Sequence, residues 1–336
     1  MTRMQTIARA KATEPDLQKL WDILQLRRPG GSKTERRFVA RFLDSIGCQS
    51  DAYGNRWLRI GDSPVLWSSH TDTVHTTPGK QRIKVLDGVI SLADTEKESN
   101  CLGGDCGVGV WIMLELIRAN KPGLYIFHRD EETGGHGSAW IAENNAGLLA
   151  GIKYAIALDR KGTNSVITYQ SGARCASDAF AESMADQLHG YAPDSTGLFT
   201  DTHNYTQLVP ECTNLSVGYE AAHTSKETVN VYHASALLES LLALDVTRLV
   251  CARDPEKVES LYNDNWDDWR WEGPYGRFDS PAVSHDRRGR FVKRAASYEA
   301  RSVLDFVESY PDVVADILEQ YGITLDDLYD SAPWLS

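Results

Sequence analysis

The sequence predicts an α/β fold: a mixed, mostly parallel sheet with helices on both faces, followed by a helical C-terminal extension. Three observations carry this. The short apolar runs Leu124 to Phe127 and Tyr154 to Leu158 are separated by a helical pattern around Ser138 to Glu143, the rhythm of strands buried on both faces. The stretch Val108 to Arg118 is apolar on most sides, which suits a helix packed on a sheet. His70, the pair Glu131-Glu132 and Asp159 each lie just beyond an apolar run, at the strand ends where open parallel sheets bind ligands.

Taken in order, a helix is expected near Glu14 to Leu26 and a second over Thr34 to Ile46. Ser32 and Glu35 have capping-box spacing, Phe38, Phe42 and Leu43 share a face, and Gly47 ends the helix. Arg56 to Ile60 and Val65 to Ser69 read as strands joined by Gly61-Asp62-Ser63-Pro64. Ile83 to Leu86 and Val89 to Leu92 flank Asp87-Gly88, a hairpin signal. Beyond Asp159, Val166 to Tyr169 is an expected strand, Asp178 to Leu188 a helix capped by Ser177, Asn214 to Val217 a strand and Val229 to Leu244 a helix. The catalytic domain would then span residues 1–250. From 251 to 336 an aromatic-rich wrapping segment with Trp266, Trp269 and Trp271 leads into helical patterns around Phe306 and Ile317.

Composition narrows the function classes. With 336 residues and 42% hydrophobic content, the chain can bury one large enzyme core. A formal charge of -12, with basic residues clustered only at His285 to Arg294, argues against a nucleic-acid partner. No apolar run reaches signal-peptide or bilayer length, so no membrane partner is expected and the cytoplasm is the default location. The six cysteines contain no C-x-x-C pair and read as reduced packing residues. Gly103 to Gly109 is glycine-rich but is neither a Walker-type loop nor G-x-G-x-x-G.

The remaining signal is a constellation: His70-Thr71-Asp72, then Asp105 in Gly103-Gly104-Asp105-Cys106-Gly107 before the apolar helix, then Glu131-Glu132, Asp159 and His223. Two imidazoles and several carboxylates make a nitrogen and oxygen environment for two divalent ions, with zinc favoured by the imidazoles and manganese or cobalt as alternatives. Each piece alone is commonplace: a Glu-Glu pair is usually a solvated surface, and an Asp after a strand is often a turn residue.

In order and placement these residues resemble the co-catalytic zinc exopeptidases, the group of bacterial zinc aminopeptidases, peptidase T and related carboxypeptidases and deacylases. The resemblance runs from about residue 34 to 245 and implies a zinc exopeptidase-like fold. It also implies roles. One ion would be held by His70 and Asp159, the other by Glu132 and His223, with Asp105 bridging both and the Asp105–Cys106 peptide cis. Asp72 would orient His70, and Glu131 would be the general base. Many relatives carry a lid domain between the last Asp and the final His, but only 63 residues lie between Asp159 and His223, which points to a lidless form.

Four further residues are candidate substrate contacts: Asp201 and His203 in a cleft-shaping loop, Tyr219, and Arg174 as an anchor for a substrate carboxylate. Their ordinary alternatives are a local turn with His203 exposed, packing, and a surface ion pair. The expected activity is hydrolysis of a terminal peptide bond, foremost as an aminopeptidase on small peptides. Competing readings are a deacylase or amidohydrolase of acyl-amino-acid substrates, a carboxypeptidase or dipeptidase, and a non-catalytic binding protein on the same scaffold. A homo-oligomer is left open.

Overall fold

Residues 15–257 are described by the computed structural model. The first part of the chain forms α1 (Leu17–Leu24), β1 (Leu26–Arg27), α2 (Lys33–Phe42), β2 (Gln49–Ser50), β3 (Arg56–Ile60), β4 (Val65–His70), β5 (Gly79–Lys80), β6 (Ile83–Leu86) and β7 (Val89–Leu92). The long helix α3 (Gly104–Arg118), β8 (Gly123–His128), α4 (His136–Asn144) and β9 (Tyr154–Arg160) follow. The remainder is β10 (Ser165–Ile167), β11 (Tyr169–Gln170), β12 (Ala173–Arg174), α5 (Asp178–Ala185), β13 (Ala192–Asp194), β14 (Glu211–Ser216), β15 (Tyr219–Glu220), β16 (Thr228–Asn230) and α6 (Val231–Ala243).

Eight strands form the main sheet in the order β13-β10-β14-β9-β4-β8-β3-β2. Its centre, β14-β9-β4-β8, is parallel, with antiparallel pairings of β10 to β14, β3 to β8 and β2 to β3. The consecutive strands β3 and β4 are not neighbours, because β8 lies between them. Burial explains the order: β4 and β8 are buried at every position, whereas β3 carries Arg56 and Arg59 and stays partly open. A continuous apolar strand needs cover on both faces and takes the centre.

Helix α3 lies against this centre and is buried from Cys106 through Leu116. Close approach depends on Gly109, where an added Cβ would stand 2.0 Å from the Leu158 carbonyl oxygen and 2.6 Å from Ser69 Oγ. The helix starts at Gly104, earlier than its apolar pattern indicates, because the first turn is made of the glycine-rich residues. The helix expected to Leu188 ends at Ala185, and the strand expected over Val166 to Tyr169 breaks at Thr168 into β10 and β11.

Local signals are realised with one shift. Ser32 Oγ accepts the Glu35 N–H at 3.1 Å, but Glu35 Oε2 accepts from Gly31 N at 2.6 Å instead of closing on Ser32. The other Glu35 oxygen is thereby free to accept from Thr71 Oγ1 at 2.7 Å, beside His70. At the β6–β7 hairpin Asp87 and Gly88 have φ of 49° and 77°, the pair of left-handed residues that a two-residue turn requires. With β15 and β16 this hairpin builds a four-stranded antiparallel sheet, order β15-β16-β7-β6.

All six cysteines are free, and four are buried. No helix among the described residues is long and apolar enough to cross a membrane. The segment carrying Trp266, Trp269 and Trp271 and the helical patterns beyond it lie outside the described residues.

Candidate metal centre

Three parallel strands deliver their C-terminal ends to one edge of the sheet. His70 is the last residue of β4 and pairs in register with His128 of β8, Asp159 is near the end of β9, and Glu131 and Glu132 follow β8. Asp105 enters from the first turn of α3, where its backbone departs from helix (φ -77°, ψ 113°) and the Asp105–Cys106 peptide is cis. His223 sits in the turn between β15 and β16 with φ 66°.

The five side chains meet. Asp105 Oδ1 is 3.0 Å from His70 Nε2, and its Oδ2 is 3.2 Å from His223 Nε2. Each imidazole nitrogen faces one more carboxylate, Asp159 Oδ1 at 3.2 Å from His70 and Glu132 Oε2 at 3.3 Å from His223. Glu131 Oε2 stands back, 3.9 Å from His70 Nε2.

Asp72 is fully buried and does two things. Its Oδ1 lies 3.4 Å from His70 Nδ1, and its two oxygens accept the N–H groups of Glu131 and Glu132, each at 3.2 Å. One residue therefore holds both, its backbone carbonyl 3.2 Å from His70 Nδ1 and its carboxylate on the Glu-Glu backbone, a coupling the sequence did not reveal.

Electrostatics follow from packing several carboxylates into a buried space. Burial and the neighbouring Asp105 charge push Asp159 up to about 7 and also raise Glu132. Burial, Asp159 and Glu132 hold Glu131 well above the carboxylate range. Burial alone would lower both histidines, but it is outweighed: Asp159 and Asp105 raise His70, and Asp105 and Glu132 bring His223 up to about 11. Asp105, between two imidazoles, is lowered despite its burial. The cluster thus seeks positive charge.

Divalent ions fit that demand. His70, Asp105 and Glu132 offer ligand atoms within 4.8 Å of one another, and the buried Glu132 Oε1 has no hydrogen-bond partner. The donors are imidazole nitrogen and carboxylate oxygen, the set zinc accepts and manganese or cobalt tolerate.

Several supporting residues were not foreseen. Asn214 Oδ1 accepts the Asp159 N–H at 2.9 Å, and Thr200 Oγ1 donates to Asp159 Oδ2 at 2.8 Å. The fully buried Arg28 donates from Nε to the Thr71 carbonyl at 3.0 Å, tying the N-terminal segment to the His70-Thr71-Asp72 turn. Glu227 accepts from the N–H groups of Leu102, Gly103 and Asp105; burial pushes its carboxyl up to about 7 against those donors. A polar Asn inside β14 and the Glu after His223-Thr224-Ser225-Lys226 were visible signals, whereas nothing local marks Arg28.

The four candidate substrate contacts are placed as follows. Asp201 is buried, with Oδ2 3.1 Å from His128 Nδ1. His203 is half-buried and edge-on to Phe199 at 5.6 Å, not exposed as the turn reading expects. Tyr219 is buried and its hydroxyl donates to the Asp159 carbonyl at 3.0 Å, on the backbone of the residue whose carboxylate faces His70. Arg174 pairs with Asp178 at 3.0 Å and covers the Tyr169 ring.

Fold and site together define a class: an α/β scaffold with a five-residue histidine and carboxylate centre at the C-terminal ends of its parallel strands. Solved structures with a similar fold include aminopeptidase PepT from Bacillus cereus, with 15% identity and a TM-score of 0.54 over 68% of this chain and 96% of that one. A tripeptidase from Staphylococcus aureus matches with 15% identity and a TM-score of 0.54 over 67% and 95% of the two chains. The TET1 peptidase of Pyrococcus horikoshii, which can assemble into a tetrahedron or a large octahedral shell, matches with 15% identity and a TM-score of 0.50 over 68% and 98%. Sequence comparison matches the chain to no protein family and no curated protein. The chain therefore has the PepT- and TET-type aminopeptidase fold, as the resemblance implies.

Proposed function

We propose that this protein is a two-metal hydrolase that removes residues from the amino end of small peptides. One observation carries the reading: the two oxygens of Asp105 face different imidazoles, each of which has its own second carboxylate. Two ligand pairs sharing one carboxylate suit a pair of divalent ions, zinc foremost. When bound, such ions acidify a water and polarise the scissile carbonyl.

The chain's own residues would do the rest. His70 and Asp159 would hold one ion, His223 and Glu132 the other, and Asp105 would bridge them. Glu131, aimed by the grip of Asp72 on its N–H, would take a proton from the attacking water and pass it to the leaving amine. No lysine or arginine among the described residues pairs with Asp105, Glu131, Glu132 or Asp159. With no such cation beside the cluster, a substrate's carboxylate has no anchor there, which favours recognition of an α-ammonium over a carboxypeptidase reading.

In this reading residues 1–250 form a catalytic domain without an inserted lid, and 251–336 are an appended segment. We further propose a homo-oligomer, supported by the likeness in fold to the TET1 peptidase, which can assemble into a tetrahedron or a large octahedral shell; light scattering on the purified protein tests it. The central experiment combines elemental analysis with turnover on unblocked peptides, N-acetylated peptides and N-acyl amino acids. Two ions per chain and cleavage confined to unblocked peptides are expected. Two ions with turnover of N-acyl amino acids alone would replace the peptidase reading with a deacylase, and at most one ion would end the two-metal reading.

A further inference from the structure

Glu227 is 1% exposed and belongs to none of the five metal-facing residues. Its Oε2 accepts the N–H groups of Leu102 at 2.7 Å and Gly103 at 2.8 Å, and its Oε1 accepts the Asp105 N–H at 3.1 Å. All three donors lie at the start of α3, 122 to 125 residues away in sequence. The loop is shaped to admit this carboxylate: a Cβ on Gly104 would stand 2.9 Å from Glu227 Oε1 and 2.8 Å from a Val229 methyl. Glu227 also ends the turn that presents His223, its N–H donating to Thr224 O at 3.1 Å.

We propose that Glu227 is a positioning residue for the bridging carboxylate, locking the backbone of Asp105 so that its two oxygens serve both ion sites at once. The inference rests on the two-metal reading above. One turn supplies both His223 and the brace for Asp105, so the second ion site, formed by Glu132, His223 and Asp105, depends on it most. His70 and Asp159 come from the ends of adjacent sheet strands and hold their places without it. In Glu227→Gln one oxygen still serves the Leu102 and Gly103 donors, but an NH2 then opposes the Asp105 N–H and releases that contact.

The test uses the full chain, stripped with a chelator and titrated with Co2+ by calorimetry, alongside the visible absorption of the cobalt form. Glu227→Gln is expected to bind the first ion as the wild type does, to bind the second 10- to 100-fold more weakly, the usual effect of losing a ligand-orienting partner, and to change the two-cobalt spectrum. Glu115→Gln is the control, since Glu115 is an equally buried carboxylate on α3, the helix whose start Glu227 braces, and bonds Asp16, Lys19 and Arg118. It should lose stability while both ion affinities hold.

Where circular dichroism shows Glu227→Gln unfolded, Glu227→Asp carries the test, because it keeps the charge but is too short to span both sets of donors. Unchanged second-ion affinity in a folded Glu227 variant overturns the inference and leaves the two-metal reading intact. Equal weakening in Glu115→Gln also overturns it. A wild type that binds fewer than two ions overturns both.

Discussion

Replacing Glu131 with Gln separates chemistry from metal binding, and the geometry sets the expected size. Glu131 Oε2 is 3.9 Å from His70 Nε2, whereas Glu132 Oε2 is 3.3 Å from His223 Nε2 and its other oxygen is buried without a partner. In the proposed mechanism Glu132 is the ligand and Glu131 the base. Both hang from Asp72 by backbone N–H groups, which the substitution does not touch. Glu131→Gln should therefore keep two ions and lose turnover by a factor on the order of 10² to 10⁴, the usual worth of a positioned base. At 1.36 kcal/mol per tenfold that is about 2.7 to 5.4 kcal/mol of barrier. Glu132→Gln should instead lose one ion, since an amide is a poor ligand for zinc.

A second consequence concerns the chelated protein. Burial and the charges of Asp159, Glu132 and Asp201 disfavour ionised Glu131, so at neutral pH the folded chain must either hold a proton there or bury a repelled charge. The neutral amide removes that burden, and chelated Glu131→Gln should melt above chelated wild type. The assays are metal content, kcat/KM and Tm for both variants. Wild-type turnover in Glu131→Gln, or ion loss there with retention in Glu132→Gln, would refute the assignment.

Three other outcomes follow from the fold. Gly109→Ala drives a Cβ to within 2.0 Å of the Leu158 carbonyl oxygen and should cost more than about 4 kcal/mol or abolish folding, whereas Gly147→Ala, with nothing within 4 Å, should leave the denaturation midpoint unchanged. Ser32→Ala removes the cap on Glu35 N and should lower stability by about 1 kcal/mol in urea titration. His75 is held down to about 4 by burial, so between pH 6.5 and 4 the unfolded chain takes up a proton that the folded chain refuses. Stability should fall with pH across that window by about 3 kcal/mol, and His75→Gln should flatten the slope by about one proton; an unchanged slope would remove His75 from the account.

How much was legible differs by level. Strands β4, β8 and β9 and helix α3 were readable because continuous apolar runs report burial on both faces, a property of neighbouring residues. The β6–β7 turn and the Ser32 cap were readable because their geometry is set within four residues. That His70, Asp105, Glu131, Glu132, Asp159 and His223 would converge was legible from their placement beyond strand ends and from the order they share with known exopeptidases.

The sequence by itself determined which side chains could meet and that nitrogen and oxygen donors would dominate the meeting place. Only the tertiary structure decided that β8 separates β3 from β4, that Asp72 grips both glutamates, that Arg28 braces Thr71, and that Glu227 reaches back to Asp105. Those contacts join residues 43 to 122 positions apart. Their partners are chosen by strand order and by where a glycine leaves room, neither of which leaves a periodic trace in the chain.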